Sequence, residues 1–415
     1  MEDNAKSNIK EKLLQQLREK AEEYSLDFAK LDEAHFQRRI EALFKSVLRE
    51  NRDLGLTREE QEEIISEIAS EILGLGPIDK LMKDPTVSEI MVNGPNQVYV
   101  EKNGRLELTD ITFKGEQHLL YFIEKIISPV GRRVTEFEPY IDARFKDGSR
   151  VNVVKHPVST IGAVLTIRKF SHRILTTDDL INFKTMDQFA AEFLKACVIS
   201  RRNILISGGA GSGKTTLLNI LGSYIPEQER VITIEDTREL RLSRKHTIPL
   251  ETRPPSIEGK GEITIRDLVR NSLHMRPDRI IIGEVRGGEV LDMIQAMNTG
   301  HEGSMTTLHA NSAMEALDRL EVLALMGSVN IASELAKRQI ITAIDLIIHM
   351  ARLTDGSRKI VQITEILKGK EYNLQDIFAF DHQAGTVRFT GNVPAFTVDL
   401  RVKANYSPPE FTSHS

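Results

Sequence analysis

Eight consecutive residues, Gly208-Gly-Ala-Gly-Ser-Gly213-Lys214-Thr215, carry the most explicit chemistry in this chain. They fit the pattern G-x-x-x-x-G-K-[ST] in full. Glycines at this spacing let backbone N–H groups turn inward toward phosphate oxygens. A helix starting there adds the positive end of its dipole. Lys214 is suited to reach β- and γ-phosphates, and the Thr215 hydroxyl to ligate Mg²⁺ directly. The expected nucleotide contacts are Gly208, Gly209, Ala210, Gly211, Ser212, Gly213, Lys214, Thr215 and Thr216.

Gripping phosphate is not yet hydrolysis, which needs a polarised water and a carboxylate beside the metal. Two apolar runs end in acids: Val231-Ile-Thr-Ile-Glu235-Asp236 and Arg279-Ile-Ile-Ile-Gly283-Glu284. In a sheet open at its carboxyl ends such acids converge on the phosphate loop. Glu235 is the candidate for polarising the attacking water. Glu284 is the candidate to act on Mg²⁺ through water. Position 283 is glycine, where many phosphate-loop enzymes carry an Asp on the Mg²⁺ side. The competing reading is that both acids only cap strands or pair with Arg238 and Arg286. A third stretch, Thr299 to His309, is glycine-rich, holds two histidines and ends in a strand pattern. It offers His309 as a hydrogen-bond donor and sensor near the γ-phosphate; the competing reading, which a lone histidine at a strand end favours, is a satisfied structural residue. It does not read as a metal site, because further ligands at the right spacing are missing.

These groups need a scaffold. From residue 188 apolar runs alternate with helical stretches, at Ile204–Ser207, Val231–Ile234, Ile280–Ile282, Met305–Leu308, Leu346–His349 and Ile360–Ile363. That alternation implies an α/β unit, a mostly parallel sheet with helices on both faces. Before it, residues 78–170 read as a small α+β domain. Asn103-Gly104 and Lys146–Ser149 mark two hairpins, Gln117–Ile127 has helical spacing, and Ala163–Arg168 is one more strand. Residues 9–70 read as polar helices. After about 381 the pattern fades into a loose tail. The expected layout is 1–72 helical, 73–170 α+β, 171–187 linker, 188–380 phosphate-loop domain and 381–415 tail.

The bulk numbers narrow the function. The 415 residues suffice for two or three cores. No apolar run nears the ~20 residues that span a bilayer, and Met1–Lys12 is polar, so direct membrane insertion is not expected and a cytosolic site is. The single Cys197 excludes an internal disulfide and a cysteine zinc knuckle. Residues 1–70 hold 17 acidic and 12 basic side chains, leaving 43 of each sign in 71–415. A neutral body without a basic, aromatic tract argues against nucleic acid as a partner.

Several motifs together go further. Arg276-Pro-Asp-Arg279 through Arg286, with Gly300-His301 through His309, is similar to the secretion-superfamily ATPases of type II and type IV systems. Ile234-Glu-Asp-Thr-Arg-Glu239-Leu, Leu250-Glu-Thr-Arg-Pro-Pro255 and Ala296-Met-Asn-Thr-Gly-His301 resemble the CpaF/TadA branch, which powers tight-adherence pili. The likeness runs from about Leu73 to Phe380 and includes Gly131–Arg133 and Asp147–Asn152. It implies ATP and Mg²⁺ as ligands and a homo-hexameric ring. It also implies a RecA-like phosphate-loop domain, preceded by a PAS-like α+β domain and an N-terminal helical bundle. Inner-membrane platform proteins of a pilus or secretion machine would be its partners. It places Glu235 in an Asp box, Glu284 in Walker B, and His301 and His309 in a His box, with His301 among the nucleotide contacts. It directs arginines of the smaller domain, here Arg150 and Arg168 with Arg144 as a third, against the phosphates. The residues alone favour a plainer reading, hairpin arginines paired at the surface. Three alternatives stay open: a RecA-like nucleic-acid translocase, a conjugation-type type IV secretion ATPase, and a scaffold that binds nucleotide but barely hydrolyses it.

Overall fold

The computed structural model describes Thr57 and residues 75–407, apart from 103, 129–132, 146, 170–174, 243, 254, 256–259 and 328–330. The helical reading of 1–72, Arg132 and the end of the tail therefore lie outside the described residues. The chain divides into two compact units, Met1–Ser171 and His172–Ser415.

The first unit has a short helix α1 (Asp79–Lys83), strands β1 (Val87–Asn93), β2 (Val98–Lys102) and β3 (Arg105–Leu108), helix α2 (Glu116–Ile127), and strands β4 (Tyr140–Arg144), β5 (Arg150–Val154) and β6 (Val164–Arg168). The strands form one antiparallel sheet in the order β3-β2-β1-β6-β5-β4. Alternation decides its faces. Ile90, Val92, Val151, Val153, Leu165 and Ile167 point to one side and are fully buried with Leu119, Ile123 and Ile127 of α2. Both hairpins read from the sequence are present as β2–β3 and β4–β5. Strand β1, entered through the turn at Asp84-Pro85-Thr86, was not read from the sequence and pairs with β2 and β6.

The second unit opens with α3 (Thr177–Asn182) and α4 (Gln188–Ile199). Thr176 and Asp179 form a reciprocal capping box at the start of α3. Next come β7 (Ile204–Gly208), α5 (Lys214–Ser223), β8 (Val231–Glu235), β9 (Thr247–Glu251), α6 (Ile265–Ser272), β10 (Arg279–Ile282), α7 (Glu289–Asn298), β11 (Met305–His309), α8 (Ala313–Gly327) and α9 (Ser333–Ala343). Last are β12 (Leu346–Arg352), β13 (Arg358–Leu367), β14 (Asn373–Asp381), β15 (Thr386–Phe389) and α10 (Thr397–Ala404). The sheet order is β15-β14-β13-β12-β7-β11-β10-β8-β9. Its six strands from β12 to β9 run parallel, and β13 to β15 continue it antiparallel. Strands buried on both faces read as unbroken apolar runs, as β7, β8 and β10 do. One face packs α4, α5 and α10; the other packs α6 to α9.

Two expectations need correction. The linker read at 171–187 is, over its described part, folded onto the second unit: Leu180 and Met186 are buried and Thr185 Oγ1 donates to Arg358 O at 2.9 Å. The tail read from 381 onward is largely ordered. Strand β15 pairs with β14, and α10 buries Leu400 completely. Phe193 of α4 stacks on both Phe378 and Tyr406, with ring centroids 5.4 and 6.1 Å away. The segment looked loose because its apolar residues are sparse and unevenly spaced; each finds a partner far away in sequence. Leu400→Ala is therefore expected to cost roughly 3 kcal/mol, read by urea or thermal unfolding. A loose tail would give a change near zero.

Candidate functional site

Strand β7 leaves the sheet at Gly208 and the chain re-enters regular structure at Lys214, the first residue of α5. Between them the backbone has no room for side chains at its base. A Cβ on Gly208 would lie 2.3 Å from Met350 O and 2.7 Å from Ser212 Oγ, and the residue has φ +154°. The Lys214 side chain folds back over this loop. Its Nζ donates to Gly208 O at 2.9 Å and Gly209 O at 2.8 Å, and lies 3.3 Å from His309 Nδ1. Lys214 is 7 % exposed, so these acceptors stand in for water around a buried ammonium.

Strand register brings the other groups to the same end of the sheet. His309 pairs with Gly208 across β11–β7, and Ile282 pairs with Thr306 across β10–β11. The residues just past β10 therefore lie beside His309. Its Nε2 sits 3.0 Å from Glu284 Oε1. Glu284 Oε2 accepts from Arg286 Nη2 at 2.7 Å, and Arg286 Nη1 lies 3.5 Å from Asp236 Oδ2. Burial, then the Lys214 charge, hold the His309 imidazole below its ordinary pKa against the pull of Glu284. A neutral ring fits both contacts at once: Nδ1 accepts from Lys214 and Nε2–H donates to Glu284. The result is a continuous polar chain, Lys214–His309–Glu284–Arg286–Asp236.

Glu235 ends β8 and is 3 % exposed. Its Oε1 accepts from the N–H of Glu239 at 2.8 Å and of Leu240 at 3.0 Å, while Oε2 is buried without a hydrogen-bond partner. Burial pushes its carboxyl up to about 7, against the lowering effect of those two N–H groups. This packing accounts for the glycine at 283. A Cβ there would come within 2.9 Å of Glu235 Cγ, so the second acid-bearing strand end leaves space for the first.

The structure does not bring every expected residue to this end. His301 lies four residues before β11 begins, at the amino ends of the parallel strands, with its carbonyl bonded by Ser304 Oγ. The five-residue strand between them puts it roughly 17 Å from His309. Its reading as a nucleotide contact is thus not supported within this unit; a motif that is continuous in sequence is split by a strand's length. Arg144, Arg150 and Arg168 belong to the first unit. They are direct cross-strand neighbours, Arg144 opposite Arg150 and Arg150 opposite Arg168, on the face away from α2. Arg168 continues the row to Glu89, at 3.6 Å, and Arg144 Nε–H donates to Gly148 O at 3.3 Å. Arg286 pairs with Glu284 and Asp236, as the competing reading of these acids expected; sequence reasoning missed the proximity of Arg352 and Arg358 to the loop, because strand neighbours are set by topology.

Mg²⁺ suits the donors present. Among the described residues no group of three or more His, Cys, Asp or Glu could cage a metal alone. A hydroxyl on the first turn of α5 and one carboxylate are the sparse, hard oxygen set that Mg²⁺ takes alongside water and phosphate oxygens. Also among the described residues, no helix is long and apolar enough to cross a membrane.

A glycine loop closed by a buried lysine, on a parallel sheet whose next strands deliver an imidazole and two carboxylates, defines a P-loop unit. Residues 71–386 match the family described as type II/IV secretion system protein, and the chain belongs to that family. A Mycobacterium tuberculosis protein named for conjugal transfer is 32 % identical over 324 residues, covering 77 % of this chain and 91 % of its own. The type IV secretion system protein VirB11 of Bartonella henselae is 29 % identical over 334 residues, covering 71 % and 93 %. Among solved structures, the pilus retraction motor PilT with bound ADP has a TM-score of 0.51 at 20 % identity, over 79 % of this chain and 85 % of that one, a likeness of fold.

Glu235 yields a pH signature independent of activity. A carboxyl whose folded pKa is raised favours the folded state below the unfolded value, and that contribution is lost as pH rises through about 7. Glu235→Gln is expected to match the wild type near pH 4.5 and to exceed it by roughly 2–3 kcal/mol above pH 7. Unfolding the nucleotide-free protein in urea across that range checks it; a constant difference would remove the burial argument.

Proposed function

We propose that this chain is the ring-forming motor of a pilus or secretion machine, coupling MgATP hydrolysis to movement against inner-membrane platform proteins. Within its family it is an ATP hydrolase. The observation that carries the mechanism is the unbroken path from the buried Lys214 ammonium through His309 to Glu284. Phosphate arriving at the loop competes for the lysine and is felt by the acid two groups away.

In this reading the backbone N–H groups of Gly209 to Thr216 and the Lys214 ammonium hold the phosphates. Thr215 Oγ and, through water, Glu284 would hold Mg²⁺, which when bound neutralises charge on the transferring phosphoryl group. Glu235 polarises the attacking water once its carboxylate turns from the 239–240 amides. Its raised pKa suits a general base near neutral pH. The arginine row of the first unit supplies the remaining positive charge. Alternating between an anion-bridged and an unbridged state gives a differential contact able to drive domain motion.

Turnover of the purified full chain tests this. Lys214→Ala is expected to abolish ATP binding, and Glu284→Gln to keep binding while lowering kcat about a hundredfold or more. Arg150→Ala and Arg168→Ala are each expected to lower kcat at least tenfold with ADP affinity little changed. Equal, near-zero rates for wild type and Glu284→Gln would favour a nucleotide-gated scaffold instead. Light scattering of the ATP-bound protein tests the hexamer.

The tight-adherence branch rests on the motifs around Glu235, Leu250 and Ala296. A conjugation-type secretion ATPase is favoured equally by the relatives named for conjugal transfer and VirB11. Placing Glu284→Gln in the cell separates the two: loss of surface pili supports the first, loss of DNA transfer to a recipient supports the second.

A further inference from the structure

The phosphate loop has a second flank that no motif marks. Counting outward from β7, strands β11, β10 and β8, whose ends carry His309, Glu284 and Glu235, lie on one side, and the β12–β13 hairpin lies on the other. Arg352 and Arg358 close this hairpin as directly opposed cross-strand partners. Both are exposed. Arg358 Nε–H donates to Gly211 O at 3.0 Å, and Arg358 Cδ lies 3.5 Å from where a Gly213 Cβ would be. Arg352 Nη1 lies 3.7 Å from the corresponding point on Gly211. Both side chains thus stand against the rim of the glycine loop.

The hairpin is held in place from below. Thr185 Oγ1 donates to Arg358 O and Ile360 N–H to Thr185 O, both at 2.9 Å. Lys359 Nζ donates to Phe183 O at 2.8 Å and Lys184 O at 2.9 Å. The turn itself closes through Leu353 N–H to Ser357 O at 2.8 Å. The arginines are therefore presented by a fixed element, as a binding wall requires.

The direction of a bound nucleotide follows from the other flank. Lys214, His309 and Glu284 set the γ-phosphate end toward β11 and β10. A triphosphate laid along the loop then carries its nucleoside toward β12. We propose that the β12–β13 hairpin is the nucleoside wall of this site: the Arg352 guanidinium lies against the purine, and Arg358 is a positioning residue that tethers the loop at Gly211. A planar guanidinium suits stacking on a base and tolerates any purine. This proposal rests on the phosphate-loop reading above and extends it to the part of the ligand that the loop does not touch.

Calorimetric titration of the full chain with ATP, ADP and inorganic tripolyphosphate separates base from phosphate. Arg352→Ala is expected to weaken ATP and ADP about tenfold and to leave tripolyphosphate within about twofold. Arg352→Lys, which keeps the charge and loses the plane, is expected to lose most of the same affinity. Arg358→Ala is expected to weaken ATP and tripolyphosphate alike, since it acts through the loop. Equal weakening of ATP and tripolyphosphate by Arg352→Ala, or no weakening of either, overturns the nucleoside wall. Wild-type protein that binds neither ATP nor tripolyphosphate, like Lys214→Ala, overturns the phosphate-loop reading itself.

Discussion

The Lys214 ammonium is the charge around which the second unit is arranged. It sits at the mouth of a nine-stranded sheet, shielded from water, and needs acceptors wherever it points. The loop supplies two carbonyls and β11 supplies an imidazole nitrogen. That last acceptor is available only because β7 and β11 are parallel and in register, with His309 opposite Gly208. The same register, carried one strand further, delivers Glu284. A slip of one residue in β11 would turn the imidazole to the other face and break the path from lysine to acid.

The charged groups of this path engage one another. Lys214 holds carbonyls, Glu284 accepts from His309 and Arg286, and Glu235 accepts from two amides. The contacts run without a break from Lys214 to Asp236. The unpartnered Glu235 Oε2 is the exception. A buried carboxylate oxygen without a donor is costly, and its raised pKa is the same fact expressed as proton affinity. Such tension belongs where chemistry is done.

The strand, loop and helix start around Gly208–Thr215 were legible, because the pattern is contiguous: glycines for a tight backbone, then lysine and a hydroxyl at the start of a helix. The acids were legible as apolar runs ending in charge, and the parallel strands as runs without alternation. The helix α10 and strand β15 were not, since Leu400 and Val387 acquire meaning only against Phe193 and Phe378. His301 shows the opposite failure. It shares a motif with His309, yet a strand separates the two.

The sequence by itself thus determined which groups are on offer: a glycine loop with its lysine, two carboxylates, an imidazole and a set of arginines. Local patterns can do this because turn geometry, helix starts and strand burial depend on near neighbours. The tertiary structure alone decided which of these groups meet. Strand order puts Glu284 and His309 on one flank of the loop and Arg352 and Arg358 on the other. It also aligns Arg144, Arg150 and Arg168 in a single row. Those adjacencies arise from pairing between strands distant in sequence, and no spacing along the chain encodes them.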